Sequence, residues 1–379
     1  MTPFMKNYLP NNKHVLFIAS YAKCPRVWKM ASTLANNGLK VTILEWDRDS
    51  ILPTIDYAEN IYIRRMRLIA PYGLKLIFKL PIWQLYVFLF ILTNHFTIVQ
   101  PQNLDNLLPA WLACHIKRIK VVYDIADFYA DAFVPRNMAL LRKIVAWLEK
   151  TLVKYVDALI LVDEVRVKQV GSQAWIIYNS PPDIYNKLKT NNYMNSSSDS
   201  KFTIFYAGIL VKDRGLDILI RAIQDLDDVK LVIAGFGEIE KKFSSILRGK
   251  HNVQFIGRVP YDTVLRLTLS SDCVIALYDP QVPNNIYASP NKLFEAMMCA
   301  KPIIVSDGTA MASIVRKEKC GLVVKYNNYK DVQEAIIRLK NNPLLRKELG
   351  GNGRQAYEQK YSWDLMKIRL LRLYDQLCL

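Results

Sequence analysis

The sequence predicts an α/β protein built from two doubly wound, Rossmann-like domains facing a cleft. Three observations predict it. At 379 residues the chain exceeds the about 250–300 residues over which a single core keeps growing. Short apolar runs alternate with helix-length spacers, the rhythm of βαβ units on a parallel sheet. That rhythm stops once, over residues 179–201, and then restarts.

In order, HVLFIAS (14–20) reads as a strand, followed by a helix around 26–37 and a strand KVTILEW (40–46). The runs NIYIRRMRL, FTIVQPQ, KVVYDIAD, DALILVD and AWIIYN follow, separated by helical spacers. The stretch NSPPDIYNKLKTNNYMNSSSDSK is rich in Asn, Ser and Pro and lacks a period, so it reads as a linker or surface loop. Beyond it come FTIFYAG (202–208), VKLVIAGFG (229–237), NVQFIG (252–257), CVIALYD (273–279), KPIIVSD and GLVVKY, and then a helical C-terminal stretch. The two domains join near residue 190. Ligands of such sheets sit at the carboxyl ends of the strands, where glycine-rich turns meet helix N-termini.

Composition narrows the partners. Half of the residues are apolar and 22% are charged, with a net charge of +17, so an ordered globular protein with an anionic partner is expected: nucleic acid, an anionic membrane surface or a phosphorylated substrate. The six cysteines are scattered, without a CxxC pair or a nearby histidine spacing. They offer neither a disulfide framework nor a zinc site, and a reduced, cytoplasmic compartment fits. The apolar run at the N-terminus is too short for a signal peptide.

Residues 60–92 join a basic strip (Arg64, Arg65, Arg67, Lys75, Lys79) to the apolar run 82–92, with no acidic residue. The run is too short to span a bilayer. It reads either as a contact with the inner membrane face or as a core helix preceded by a solvated basic strand.

Two stretches could carry chemistry. In YAGILVKDRGLDILIRAI, Gly208 would let a ligand approach the backbone, Gly215 permits a tight turn, and Arg214 with free backbone N–H groups suits a diphosphate. AGFGE (234–238) is a tight βα connection. In SPNKLFEAMMCAKPIIVSD, Pro290 fixes a helix start, Lys292 adds charge there, and Asn291 and Glu295 share a face. A carboxylate there can hold a diol while the lysine and helix end hold phosphate, which suits a nucleotide. A plain Lys–Glu surface pair is the alternative.

These motifs, with NVQFIGRVPYDTVLRLTLSSDCVIALYD and CGLVV in the same order, resemble the GT-B glycosyltransferases of the retaining family 4. CPRVWKMASTLANNGLKVTIL, VVYDIADFYAD and IIYNSPPD resemble that family's acceptor domain and the entry to its donor domain. The resemblance implies an acceptor-binding domain at 1–185, a nucleotide-sugar domain at 186–360, and a terminal helix at 361–379 crossing back to the first. It implies that Arg214 contacts the donor diphosphate and that Glu295, second glutamate of a Glu-x7-Glu motif, binds the ribose; Lys292 would assist at the phosphates. Three positions depart from the family: Tyr287 replaces the first glutamate, Ile209 an arginine, and Ala126 a histidine.

In their absence, Asp127 and Asp124 at a strand's carboxyl end are the candidate catalytic carboxylates, unless Asp127 caps a helix and Asp124 is satisfied by backbone. Arg26, at the first βα turn, would meet an acceptor phosphate or cap a surface. The four histidines show no pairing pattern.

The expectation is transfer of a sugar, with retention, from a nucleoside-diphosphate sugar substrate to a glycan or lipid-linked acceptor, without metal or other cofactor. A sugar-nucleotide epimerase of the same fold is the rival enzyme. A nucleic-acid binder fits the charge but leaves the donor motifs unexplained.

Overall fold

A computed structural model describes residues 13–70, 74–190, 201–240 and 251–378. Residues 1–12 of the N-terminal segment, residues 191–200 of the expected linker and the side chain of Lys75 lie outside the described residues. The chain forms two compact units, Met1–Tyr178 with Lys367–Leu379, and Asn179–Met366.

The first unit carries strands β1 (His14–Ala19), β2 (Lys40–Asp47), β3 (Ile55–Ala58), β4 (Ile61–Arg67), β5 (Ile98–Pro101), β6 (Lys120–Ile125), β7 (Ala158–Leu161) and β8 (Trp175–Ile176). They form one sheet in the order β3-β4-β2-β1-β5-β6-β7-β8. β1 is buried along nearly its whole length, and the same holds for β6. A parallel strand covered on both faces needs such a continuous apolar run, which is why VLFIA and VVYDI read clearly as strands.

β3 is the exception: it pairs antiparallel to β4 and was not legible in the sequence. The two-residue loop Glu59-Asn60 joins them, both residues with positive φ (49° and 64°), the geometry of a type I′ hairpin made here without glycine. The edge strand is short and largely exposed, so it carries no apolar signal.

The basic stretch divides on folding. Arg65 is buried and donates through Nε to Glu45 at 2.5 Å and through Nη1 to Asp56 at 3.1 Å, so it adds no surface charge. Arg64 donates to the Tyr86 hydroxyl at 3.1 Å. The helix Leu80–Thr93 buries Trp83, Val87 and Ile91, and Trp83 stacks on Trp46 at 5.6 Å. Among the described residues no helix is long and apolar enough to cross a membrane.

The second unit holds β9 (Phe202–Ile209), β10 (Val229–Phe236), β11 (Val253–Phe255), β12 (Cys273–Ala276), β13 (Ile303–Ser306) and β14 (Gly321–Val324), ordered β11-β10-β9-β12-β13-β14 and parallel throughout. Gly215 caps the helix Leu216–Ile223 at φ +60°, and a Cβ there would stand 2.7 Å from that of Leu277, so the tight turn into this helix requires glycine. Its buried Leu216, Leu219, Ile220 and Ile223 join the core over β9, β10 and β12. The tight AGFGE connection is also seen: a Cβ on Gly237 would lie 2.6 Å from the Leu210 carbonyl.

The helix Trp363–Cys378 starts in the second unit, and from Lys367 onward it belongs to the first. There the buried Tyr374 hydroxyl bonds Gln100, Arg369 donates to the Ile176 carbonyl at 3.1 Å, and Lys120 donates to that of Leu377 at 2.7 Å.

Candidate functional site

Because β9 and β12 are neighbours, the segments leaving their carboxyl ends converge. Near its end β9 carries Gly208, and after it comes the short 3-10 turn Lys212–Arg214. After β12 come Tyr278, the turn of helix Pro283–Ile286, and the helix Asn291–Met298, with Pro290 at its N-cap (φ −74°).

Two cations meet around one aromatic ring. The Arg214 guanidinium lies 4.0 Å from the centroid of Tyr278. Its Nη1 donates to Asp213 Oδ2 and to Asn285 Oδ1, both at 2.8 Å. Asn285 is itself buried and donates to Asp213 Oδ2 at 2.9 Å and to the Asp279 carbonyl at 3.1 Å. The arginine is thus held in one orientation by two polar side chains and a ring face.

Lys292 approaches from the helix side. Its ammonium stands 3.9 Å from the Tyr206 ring centroid and 5.5 Å from that of Tyr278. Burial, and then the positive charge of Arg214, push its pKa down to about 7, while Glu295 pulls the other way. A buried ammonium beside a second cation favours an incoming anion.

Several expectations change here. Gly208 was to let a ligand reach the backbone; instead its open side accommodates Lys292, whose Nζ would lie 3.0 Å from a Cβ at that position. Lys292 and Glu295 are not surface groups: only 6% and 4% of them is exposed. The helix buries every residue from Lys292 to Met298, so its polar residues go inward with the apolar ones. Burial, and then the neighbouring Glu295 carboxylate, push the Tyr261 hydroxyl well above its ordinary pKa. Asn291 is half-buried.

In the first unit, Arg26 and Asp124 are each other's partners. Arg26 Nε donates to both carboxylate oxygens at 3.1 and 2.9 Å and Nη2 to Oδ1 at 2.7 Å, while Nη1 reaches the Ile177 carbonyl at 2.7 Å. Asp124 is fully buried. A buried bidentate pair holds both charges where they are, so the base expected at Asp124 and the phosphate ligand expected at Arg26 are spent on one another. Asp127 is different: its side chain is 40% exposed and lies 3.4 Å from the fully buried Arg166. Phe128, not Asp127, is the cap of the helix Tyr129–Ala132. Asp127 therefore remains the candidate carboxylate of this unit.

Tyr206, Tyr278, Asn285 and Tyr261 were not read from the sequence. The signal was present for the first two: Tyr206 lies in the carboxyl-terminal half of its strand and Tyr278 just beyond its own, in FYAG and ALYD, and adjacency of those strands brings them together. His14, by contrast, is a half-buried structural group, with Nε2 2.8 Å from Thr42 Oγ1 and a pKa lowered to about 4, chiefly by burial.

The fold is that of the GT-B glycosyltransferases. A sucrose-phosphate synthase from Thermosynechococcus elongatus superposes with a TM-score of 0.78 at 16% identity, over 96% of this chain and 99% of that one. Anabaena HepE, solved with UDP-glucose, gives 0.70 at 15% identity, over 96% and 99%. Residues 191–356 match the family described as "Glycosyl transferases group 1". An uncharacterized glycosyltransferase from Methanocaldococcus jannaschii is 30% identical over 197 residues, 51% of this chain and 53% of that protein. The chain thus spans about half the length of this relative.

Proposed function

We propose that the protein transfers a glycosyl group, with retention, from a nucleoside-diphosphate sugar to an acceptor. The observation that carries this reading is the pair of cations, Arg214 and Lys292, gathered around Tyr278 at the carboxyl ends of β9 and β12. A leaving diphosphate needs its developing charge neutralised, and preorganised cations in a site shielded from water do this most effectively. Lys292 takes the part that an arginine at position 209 would play, which accounts for Ile209. Glu295 holds the ribose hydroxyls, with Tyr261 fixing its carboxylate. Asp127 receives the acceptor's proton. The two cations do for the diphosphate what a metal ion otherwise does, and no resident cofactor is included. HepE's complex with UDP-glucose supports a nucleotide-sugar donor. The acceptor is a glycan or a lipid-linked sugar at the inner membrane face.

Calorimetric titration with UDP, GDP, dTDP and CMP, on wild type and Glu295→Ala, tests the donor site. Selective binding of one diphosphate near micromolar Kd (about −8 kcal/mol), weakened by the substitution, supports it. Absence of binding to all four refutes it. Product analysis without acceptor separates transfer from epimerisation, because an epimerase converts the donor alone.

A further inference from the structure

The helix Ala139–Leu152 of the first unit turns one face into the core and leaves the other uncovered. Inward, Glu149 and Leu152 are buried, and Val145, Ala146 and Leu148 pack on the core. Outward, Leu140 is 72% exposed, Ile144 51% and Trp147 67%. Their spacing of four and three residues sets them in one stripe along the helix. Lys143 and Lys150 are exposed on the same face, and exposed Arg136 and Lys154 lie beyond its two ends.

Along the chain no acidic residue offsets this face. Between residues 132 and 156 the only carboxylate is Glu149, and it lies on the buried side, accepting from the Tyr123 hydroxyl at 2.6 Å and the Tyr129 amide at 2.9 Å. Arg142, the remaining cation of the helix, is paired with Asp131 at 2.8 Å; the Lys150 ammonium lies 6.0 Å from the Phe128 ring centroid, and among the described residues no carboxylate pairs with either outward lysine.

We propose that this face docks the protein on an anionic lipid bilayer. Leu140, Ile144 and Trp147 enter the headgroup boundary, where an indole is well suited to sit. The lysines lie along the edge of the stripe and reach anionic headgroups with their stems on apolar surface. A protein interface fits less well, because its core is depleted of lysine. Nucleic acid would have no use for an aliphatic stripe. The apolar helix of the 60–92 stretch is the weaker candidate: its exposed Ile82, Leu85 and Leu89 have no lysine or arginine among them on that helix, and Arg65 is buried.

Sedimentation of the full chain with vesicles tests the proposal without any donor, so its outcome is independent of the sugar-transfer reading. Vesicles of equal parts phosphatidylcholine and phosphatidylglycerol should bind it, and phosphatidylcholine alone should not. Lys143→Glu with Lys150→Glu should weaken binding about tenfold or more, and Ile144→Ser with Trp147→Ser comparably. Thermal melting of both variants and their diphosphate binding should match wild type. Ile82→Ser with Leu85→Ser should leave vesicle binding intact. Equal binding to both vesicle types, indifference to the lysine reversals, or loss only in the Ile82 variant would overturn the proposal. So would failure to bind anionic vesicles together with a dimer in light scattering, or an RNA complex, that Trp147→Ser dissolves.

Discussion

Replacing Lys292 by methionine should make the protein more stable and less able to hold a diphosphate. The side chain keeps its length and loses its charge. Keeping that ammonium charged where its pKa has fallen from 10.5 to about 7 costs about 4–5 kcal/mol. The Tyr206 ring face, 3.9 Å away, returns about 1–2 kcal/mol. The variant should therefore gain about 3 kcal/mol, or about 6–12 °C in Tm for a unit of this size. The pH dependence has a definite sign. Below about pH 7 the lysine is charged in folded and unfolded chains alike, and the cost is full. Between about pH 7 and 10.5 the unfolded chain keeps a proton that the folded one has released, so wild-type stability rises with pH across that window. The variant should lack this rise, and its diphosphate affinity should fall about tenfold to a hundredfold through loss of a charged hydrogen bond. Thermal melts across the window, paired with calorimetric titration, give both readouts. A variant that melts lower than wild type while binding diphosphate equally well would refute the reasoning, since the ammonium would then serve the fold rather than an anion.

Other outcomes follow from the same geometry. Asn285→Ala removes one of the acceptors that orient Arg214, and should weaken diphosphate binding about threefold to tenfold, with about 1–2 kcal/mol lost from stability; unchanged affinity by calorimetry would mean that Asp213 and Tyr278 suffice. Glu149, raised by burial to about 7, keeps its proton in the folded state while the unfolded chain loses it, so wild-type stability should fall by about 3 kcal/mol as pH rises from about 4.5 to 7. Glu149→Gln should flatten that slope in denaturant titrations at successive pH values, and an unaltered slope would place the titration elsewhere.

Much of the fold was legible because parallel strands covered on both faces must be apolar throughout, and runs such as VLFIA and LVIAGF are. What escaped was set by partners far away in the chain. The hairpin at Glu59-Asn60 uses residues that tolerate left-handed φ less readily than glycine, so nothing local announced it. Arg65 looked like part of a basic strip because its partners, Glu45 and Asp56, lie before that strip begins. Arg26 and Asp124 stand 98 positions apart and were each given a separate role, although together they form a closed pair. At the candidate site, Arg214, Lys292 and Glu295 could be named from motif and spacing. The rings that surround the two cations, and the amide that orients Arg214, become visible only once β9 and β12 are known to be neighbours.

The path of the terminal helix has a consequence for biosynthesis. The first unit is discontinuous in the chain: Tyr374, fully buried, satisfies Gln100 from a segment that the ribosome delivers only after the whole of the second unit. Until then the nascent first unit lacks the partner of Gln100 on β5, and the buried Leu370 and Leu373 of the same segment are missing from it. Its final closure is therefore post-translational with respect to its own sequence, and a gene fragment ending near residue 178 encodes an unfinished unit rather than a separable module.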